Sequence, residues 1–217
     1  MYLSFDEWNV WYHSRQQDEE TWKRDKWGDA LPLLEDIYNF EDALLVGLML
    51  ITLIRNSDRV KIACLAQLVN VIAPIMTEKG GGCWAQTIYW PFLHASLYGR
   101  GTALRTLVES PHYDCRSREK VPFVDAVAVR NEDGVTVFCV NRDMEEDCAL
   151  SLDLRGFPAL RIEEHILLHH DDVSAVNTSA APDTVAPSKG PGGEMDGARA
   201  TLRIPALSWN VIRLKKV

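Results

Sequence analysis

Ala43-Leu44-Leu45-Val46-Gly47-Leu48-Met49-Leu50-Ile51-Thr52-Leu53-Ile54 is an uncharged apolar run, and the architecture follows from how it is read. Its twelve residues fall short of the ~20 that span a bilayer, so it is expected to be a buried helix and not a membrane anchor. Asn39 stands ahead of it as a candidate N-cap. Glu41 and Asp42 occupy the first turn, where the helix dipole favours anions, and Arg55 lies at the other end, where it favours a cation. A helix that is apolar almost all round must be covered on most of its faces. The flanking sequence offers elements to cover it. Residues 2–9 alternate weakly and read as a strand running into a loop, and Val60–Leu65 reads as a buried strand. Residues 86–98 read as a second helix, with Pro91 imposing a kink or a late start and Gly99 and Gly101 ending it. Strand, helix, strand, helix is the βα repeat of a parallel sheet. Residues 12–34, polar and rich in tryptophan, are expected to form a long loop.

The pattern changes after Thr102. Val127-Ala128-Val129 and Val135-Thr136-Val137-Phe138 flank Asn131-Glu132-Asp133-Gly134 and predict a hairpin. Residues 150–154 and part of 162–168 alternate with period two, and 207–214 read as a closing strand. Residues 177–197, rich in Pro, Gly, Ser and Asp, read as a loop. Short alternating strands with turn signals predict a β-sandwich over 102–217. The expected fold is therefore α/β plus all-β, with βα units over 1–101. Two such units do not close an eight-stranded barrel, so 1–101 reads as part of one.

The formal net charge of −8 and the absence of a basic stripe argue against nucleic acid and against an anionic membrane surface. Five widely spaced cysteines with no Cys-x-x-Cys predict reduced thiols and no zinc site. Met1 leads into Tyr2-Leu3-Ser4-Phe5 without a secretory signal pattern, so a cytoplasmic location is expected and the Asn177-Thr178-Ser179 sequon carries no weight.

Glu7 is the leading candidate for chemistry. It falls at the predicted C-terminal end of a strand, the end that carries active sites in parallel barrels. Trp8, Trp11 and Tyr12 could offer flat faces to a sugar ring. A retaining glycosidase needs two carboxyl groups roughly 5–5.5 Å apart. Adjacent residues of a strand point to opposite faces, so Asp6 and Glu7 are not that pair. The alternative for Asp6-Glu7 is a solvated acidic pair, and for Gln67 a strand-end amide bonded to backbone. His94, His165, His169 and His170 lack a partner pattern and read as core or surface residues. Gly80-Gly81-Gly82 reads as a turn, and Asp171-Asp172 as a solvated loop.

Phe5-Asp6-Glu7-Trp8-Asn9-Val10-Trp11-Tyr12 resembles the nucleophile-bearing strand end of family 51 α-L-arabinofuranosidases. So do residues 33–44 and 58–75, Gln86-Thr87-Ile88, Tyr98-Gly99-Arg100-Gly101 and Ser208-Trp209-Asn210-Val211-Ile212. The resemblance covers nearly the whole chain and is densest in 1–101. It implies that 1–101 is the C-terminal part of a (β/α)8 barrel and 102–217 a jelly-roll-like β-sandwich. It implies Glu7 as nucleophile, with Gln67 and Trp11 contacting an α-L-arabinofuranosyl unit of an oligosaccharide, and no cofactor. It also implies a homo-oligomeric full-length enzyme. The family's acid/base glutamate, in an Asn-Glu motif before the nucleophile, has no counterpart here. The Gly193-Glu194-Met195-Asp196-Gly197 echo of that motif lies after Glu7 and reads as coincidence. By itself the chain is expected to be inactive. The alternative is a non-catalytic or carbohydrate-binding β-sandwich chain that needs a partner.

Overall fold

The computed structural model describes residues 1–11, 15–24, 26–28 and 34–217, with backbone only for 15–18. In chain order the first part holds β1 (Leu3–Trp8), α1 (Arg15–Arg24), α2 (Phe40–Arg55), β2 (Val60–Leu65), β3 (Ile75–Thr77), β4 (Cys83–Ala85), α3 (Tyr89–Tyr98) and β5 (Thr102–Ala103). Strands follow: β6 (His112–Cys115), β7 (Arg118–Pro122), β8 (Val124–Arg130), β9 (Gly134–Asn141) and β10 (Cys148–Asp153). The last are β11 (Leu160–His169), β12 (Ser188–Lys189), β13 (Gly193–Asp196), β14 (Arg199–Ile204) and β15 (Ser208–Lys216).

The apolar run forms the middle of α2, and its start is capped as the sequence predicts. Asn39 Oδ1 accepts from Asp42 N at 3.0 Å, and Asn39 N donates to Asp42 Oδ2 at 2.9 Å, a reciprocal capping box. Burial pushes the Asp42 carboxyl above its ordinary value, because removing it from water disfavours the charged form. The helix is covered on two sides. Phe40, Ala43, Leu44 and Ile51 pack against Val127, Val129, Phe138, Val140, Trp209 and Val211 of the large sheet. Val46 and Leu50 pack with Trp8, Tyr38 and Ile88 on the other side. Gly47 lets the helix approach the sheet: a Cβ there would sit 2.7 Å from Trp209 Cε3.

That sheet has six strands in the order β12-β11-β15-β9-β8-β5, and the closing strand β15 lies in its interior between β11 and β9. The β8–β9 hairpin falls where the alternation places it. A three-stranded sheet, β10-β14-β13, closes the opposite face. Val124, Ala126, Ala128, Val135, Val137, Ile212 and Leu214 share one core there with Ala200, Leu202 and Ile204. Covered by α2 on one side and by this second sheet on the other, β9 is buried along its whole length.

Three expectations change, and one resolves between its two alternatives. The predicted loop over 12–34 contains α1, where Glu19 and Lys23 pair at i,i+4 with 3.9 Å between charges, a helix-supporting spacing. Residues 12–14, 25 and 29–33 of that stretch lie outside the described residues. Val60–Leu65 forms a strand but is not buried: β1 is its strand neighbour among the described residues, and Lys61, Ile62 and Cys64 are exposed. The 177–197 stretch is partly ordered into β12 and β13. Finally, α3 begins at Tyr89, with Pro91 in its first turn where a missing N–H costs nothing, so the late start holds and no kink is needed.

Candidate functional site

β1 and β2 pair in parallel, with Leu3 opposite Val60, Phe5 opposite Ala63 and Trp8 opposite Leu65. From Phe5 to Trp8 β1 takes three steps where β2 takes two, so Asp6 and Glu7 sit in a bulge. Bulges bend a strand and re-aim its side chains, and they recur beside active sites. The pairing places Glu7 one residue before, and Gln67 two residues after, the last paired positions. Both therefore lie at the C-terminal end of the pair, and both are exposed. Trp11 follows three residues beyond β1 and is 58% exposed. Tyr12 lies outside the described residues.

The strand end is anchored from below. Trp8 is buried against Phe92, ring centroids 6.5 Å apart, and its neighbour Ala66 N donates to Trp8 O at 3.0 Å. Asn9 Nδ2 donates to Ala66 O at 2.8 Å and to Ile72 O at 2.6 Å, while Asn9 Oδ1 accepts from Val10 N at 2.8 Å. The loop after β2 turns sharply: the Ala66–Gln67 peptide is cis, and Asn70 and Ile72 hold positive φ of 64° and 42°. For the β-branched Ile72 that backbone is strained, and its surroundings hold it there. It is buried, and its N donates to Leu34 O at 2.6 Å.

Sequence reading gave Gln86 and Thr87 no role, and the structure gives them one. The Gln86 amide is buried and saturated. Its Oε1 accepts from Tyr38 N at 2.9 Å, and its Nε2 donates to Asp36 O at 2.9 Å and Ala73 O at 2.8 Å. Thr87 Oγ1 donates toward Tyr38 O and Asn39 O, and Tyr38 OH donates to Val10 O at 3.3 Å. This network links the segment after Glu7, the start of α2 and the loop after β2. The sequence marks Thr87 as a type that bonds backbone readily, but not which carbonyls, about 50 residues away, it and Gln86 meet.

The remaining candidates are structural. His94 is buried and accepts from Trp209 Nε1 at 3.1 Å, and burial lowers its pKa to about 4. His165 is buried with Nε2 at 2.9 Å from Asn210 Oδ1, and burial lowers its pKa too. His169 lies 3.4 Å from Asp171, and Asp172 bonds Ser174. Gly80-Gly81-Gly82 forms the turn between β3 and β4. Glu194 lies on β13 of the three-stranded sheet. All five cysteines are free thiols. Among the described residues, no group of three or more His, Cys, Asp or Glu is placed to hold a metal ion, and no helix is long and apolar enough to cross a membrane. A groove of about 580 Å³ opens at the end of the two-sheet core, lined by Arg130, Val135, Phe157, Leu160 and Lys216 among others; Glu7, Gln67 and Trp11 are not among its walls.

Relatives match this whole arrangement. Residues 6–208 match the α-L-arabinofuranosidase C-terminal domain family. The intracellular exo-α-(1→5)-L-arabinofuranosidase 1 of Bacillus subtilis (strain 168) is 53% identical over 216 residues, which are 99% of this chain and 42% of the relative. The exo-α-(1→6)-L-arabinofuranosidase of Bifidobacterium longum is 42% identical over 221 residues, again 99% of this chain and 42% of the relative. Among solved structures, a family 51 α-L-arabinofuranosidase from Bifidobacterium longum superposes with a TM-score of 0.88 at 38% identity, covering 98% of this chain and 43% of that one. The arabinose complex of the Thermotoga maritima α-L-arabinofuranosidase gives 0.76 at 26% identity, covering 97% and 42%. The chain thus spans about two fifths of the length of these relatives. With a family match over nearly all its residues and a common fold at 38% identity, the chain belongs to the family 51 α-L-arabinofuranosidases, as their C-terminal, sheet-rich part.

Proposed function

We propose that β1 and β2 are the seventh and eighth strands of a (β/α)8 barrel whose other strands come from residues outside these 217. Residues 1–101 then belong to the catalytic barrel and 102–217 form its β-sandwich. The activity is that of a retaining, exo-acting α-L-arabinofuranosidase. Glu7 attacks the anomeric carbon of a terminal α-L-arabinofuranosyl unit and forms a covalent glycosyl-enzyme, which water then hydrolyses. The second carboxyl group, which protonates the leaving oxygen, comes from outside these residues. Gln67 both donates to and accepts from sugar hydroxyls. Trp11 lines the sugar pocket. Substrates are arabinofuranosyl oligosaccharides and the location is cytoplasmic, a reading supported by relatives named intracellular. The full-length enzyme is a homo-oligomer.

The observation that carries this reading is the meeting of Glu7 and Gln67 at the C-terminal end of one parallel strand pair, with a bulge at Glu7. The exposure of Leu3, Phe5 and Ile62 on that pair, and of Tyr2 just before it, supports further strands beside it, since apolar side chains clustered on a two-stranded sheet call for cover. The test is turnover of an aryl α-L-arabinofuranoside by the complete enzyme. Glu7→Ala is expected to abolish it, and unchanged turnover would refute the nucleophile assignment. Turnover by the 217 residues alone would refute the need for an outside carboxyl group.

A further inference from the structure

We propose that Asn9 is a positioning residue of this site: its amide clamps the strand that carries Glu7 to the loop that carries Gln67, and so fixes where the two stand relative to each other. The inference rests on the functional reading above and goes beyond it in naming what holds the site together. Asn9 follows Glu7 by two residues. Its side chain uses both amide protons and its oxygen, donating to Ala66 O and Ile72 O and accepting from Val10 N. The two carbonyls lie 57 and 63 residues away in sequence, so this is no local turn. They bracket Gln67. Ala66 precedes it, and Ile72 O also accepts from Gln67 N at 3.2 Å. One carbonyl therefore receives both the Asn9 amide and the Gln67 backbone, and the nucleophile's strand and the binding residue's loop meet on that atom.

The loop needs such a clamp. Beyond the β1–β2 ladder, the backbone bond from Ala66 N to Trp8 O joins the strand end to it among the described residues. The loop then carries two positive-φ residues, including the buried Ile72, whose carbonyl Asn9 and the Gln67 backbone hold together. Catalysis by positioning is steep in distance: a displacement of about 1 Å costs on the order of 10²-fold.

The experiment compares Asn9→Ala, Asn9→Asp and Glu7→Ala in the complete enzyme. An aryl arabinofuranoside with a good leaving group is the substrate, and active sites are counted from the pre-steady-state burst. Asn9→Ala is expected to lower kcat per active site by ~10²-fold, with a much smaller change in KM. Asn9→Asp keeps the size and the bond from Val10 but turns a carboxylate toward two carbonyl oxygens. It is expected to be as impaired at neutral pH and to recover relative to wild type as the pH falls, because a protonated carboxyl regains one donor. Asn9→Ala is expected to show no such recovery. Asn9 variants that turn over at the wild-type rate per active site, or lose activity only in proportion to the sites counted, overturn the positioning role. So does Asn9→Asp that matches wild type at neutral pH. An active Glu7→Ala sinks the functional reading itself; an inactive Glu7→Ala beside active Asn9 variants sinks this inference alone.

Discussion

Replacing Gly47 by alanine sets two effects of known sign against each other. In a helix interior, alanine is favoured over glycine by about 1 kcal/mol, because glycine loses more backbone freedom on folding. Gly47 lies in the middle of α2, so propensity alone predicts stabilisation. The structure predicts the reverse. The new Cβ would stand 2.7 Å from Trp209 Cε3, 3.1 Å from Cζ3 and 3.4 Å from Cδ2. The ring has nowhere to go. It is fully buried and stacks on Phe138 with centroids 5.7 Å apart. Its Nε1 is tied to His94, and its strand lies in the interior of the six-stranded sheet. Overpacking a rigid core by one methyl costs ~1–3 kcal/mol, and loosening the buried indole hydrogen bond costs about 1 more. That last loss cancels the propensity gain, leaving a net loss of ~1–3 kcal/mol. For a chain of this size each kcal/mol lowers Tm by ~2–4 °C. Thermal unfolding followed by circular dichroism and tryptophan fluorescence should give a drop of several degrees. The penalty should shrink in a Trp209→Phe background, where a smaller ring leaves room for the methyl. A Tm that stays or rises in Gly47→Ala, or a penalty unchanged beside Trp209→Phe, would refute the reasoning.

Two further predictions concern buried polar groups. His94 titrates in the folded protein at about 4, below the ordinary 6.5 of a histidine, because burial penalises its charged form. The stability it contributes is therefore complete above about pH 6.5 and is lost as the pH falls from there to about 4, a difference of ~3 kcal/mol. His94→Asn keeps an acceptor near Trp209 Nε1 and is expected to flatten that part of the pH profile. Urea midpoints at pH 7 and 4.5 check it, and equal pH dependence in the two proteins would contradict it. Asn177 is buried, donates to Ala85 O and Val185 O at 3.0 Å each, and accepts from Val185 N at 2.7 Å. Asn177→Ala leaves the fully buried Val185 N–H unpaired and is expected to cost ~2–4 kcal/mol by chemical denaturation. A loss under ~0.5 kcal/mol would show the amide to be incidental.

What could be read from the sequence follows from how local each signal is. α2 was legible down to its cap because a capping box and an apolar run are contained in neighbouring residues. The β8–β9 hairpin and the alternating strands were legible for the same reason. β14 was missed although Ala200, Leu202 and Ile204 alternate with Arg199, Thr201 and Arg203 as cleanly as any strand in the chain. It follows directly on the Gly- and Pro-rich 177–197 stretch read as a loop, and the reading passed from there to the closing strand. The helix α1 was missed because its sequence is polar but for Trp22, with no apolar stripe to announce a period. Burial could not be read at all where it depends on neighbours: Val60–Leu65 is apolar enough for a core, yet β1 alone flanks it among the described residues. The candidate site divides along the same line. Glu7 was nameable from its strand-end position, and Gln67 from the family resemblance. Their meeting at one end of a parallel pair, and the joining of Asn9 and Gln67 on the carbonyl of Ile72, depend on contacts about sixty residues apart. A residue that holds a site together bonds to backbone, and backbone acceptors leave no trace in side-chain identity. Asn9, Gln86 and Thr87 therefore read as ordinary polar residues until the fold brings their carbonyls to them.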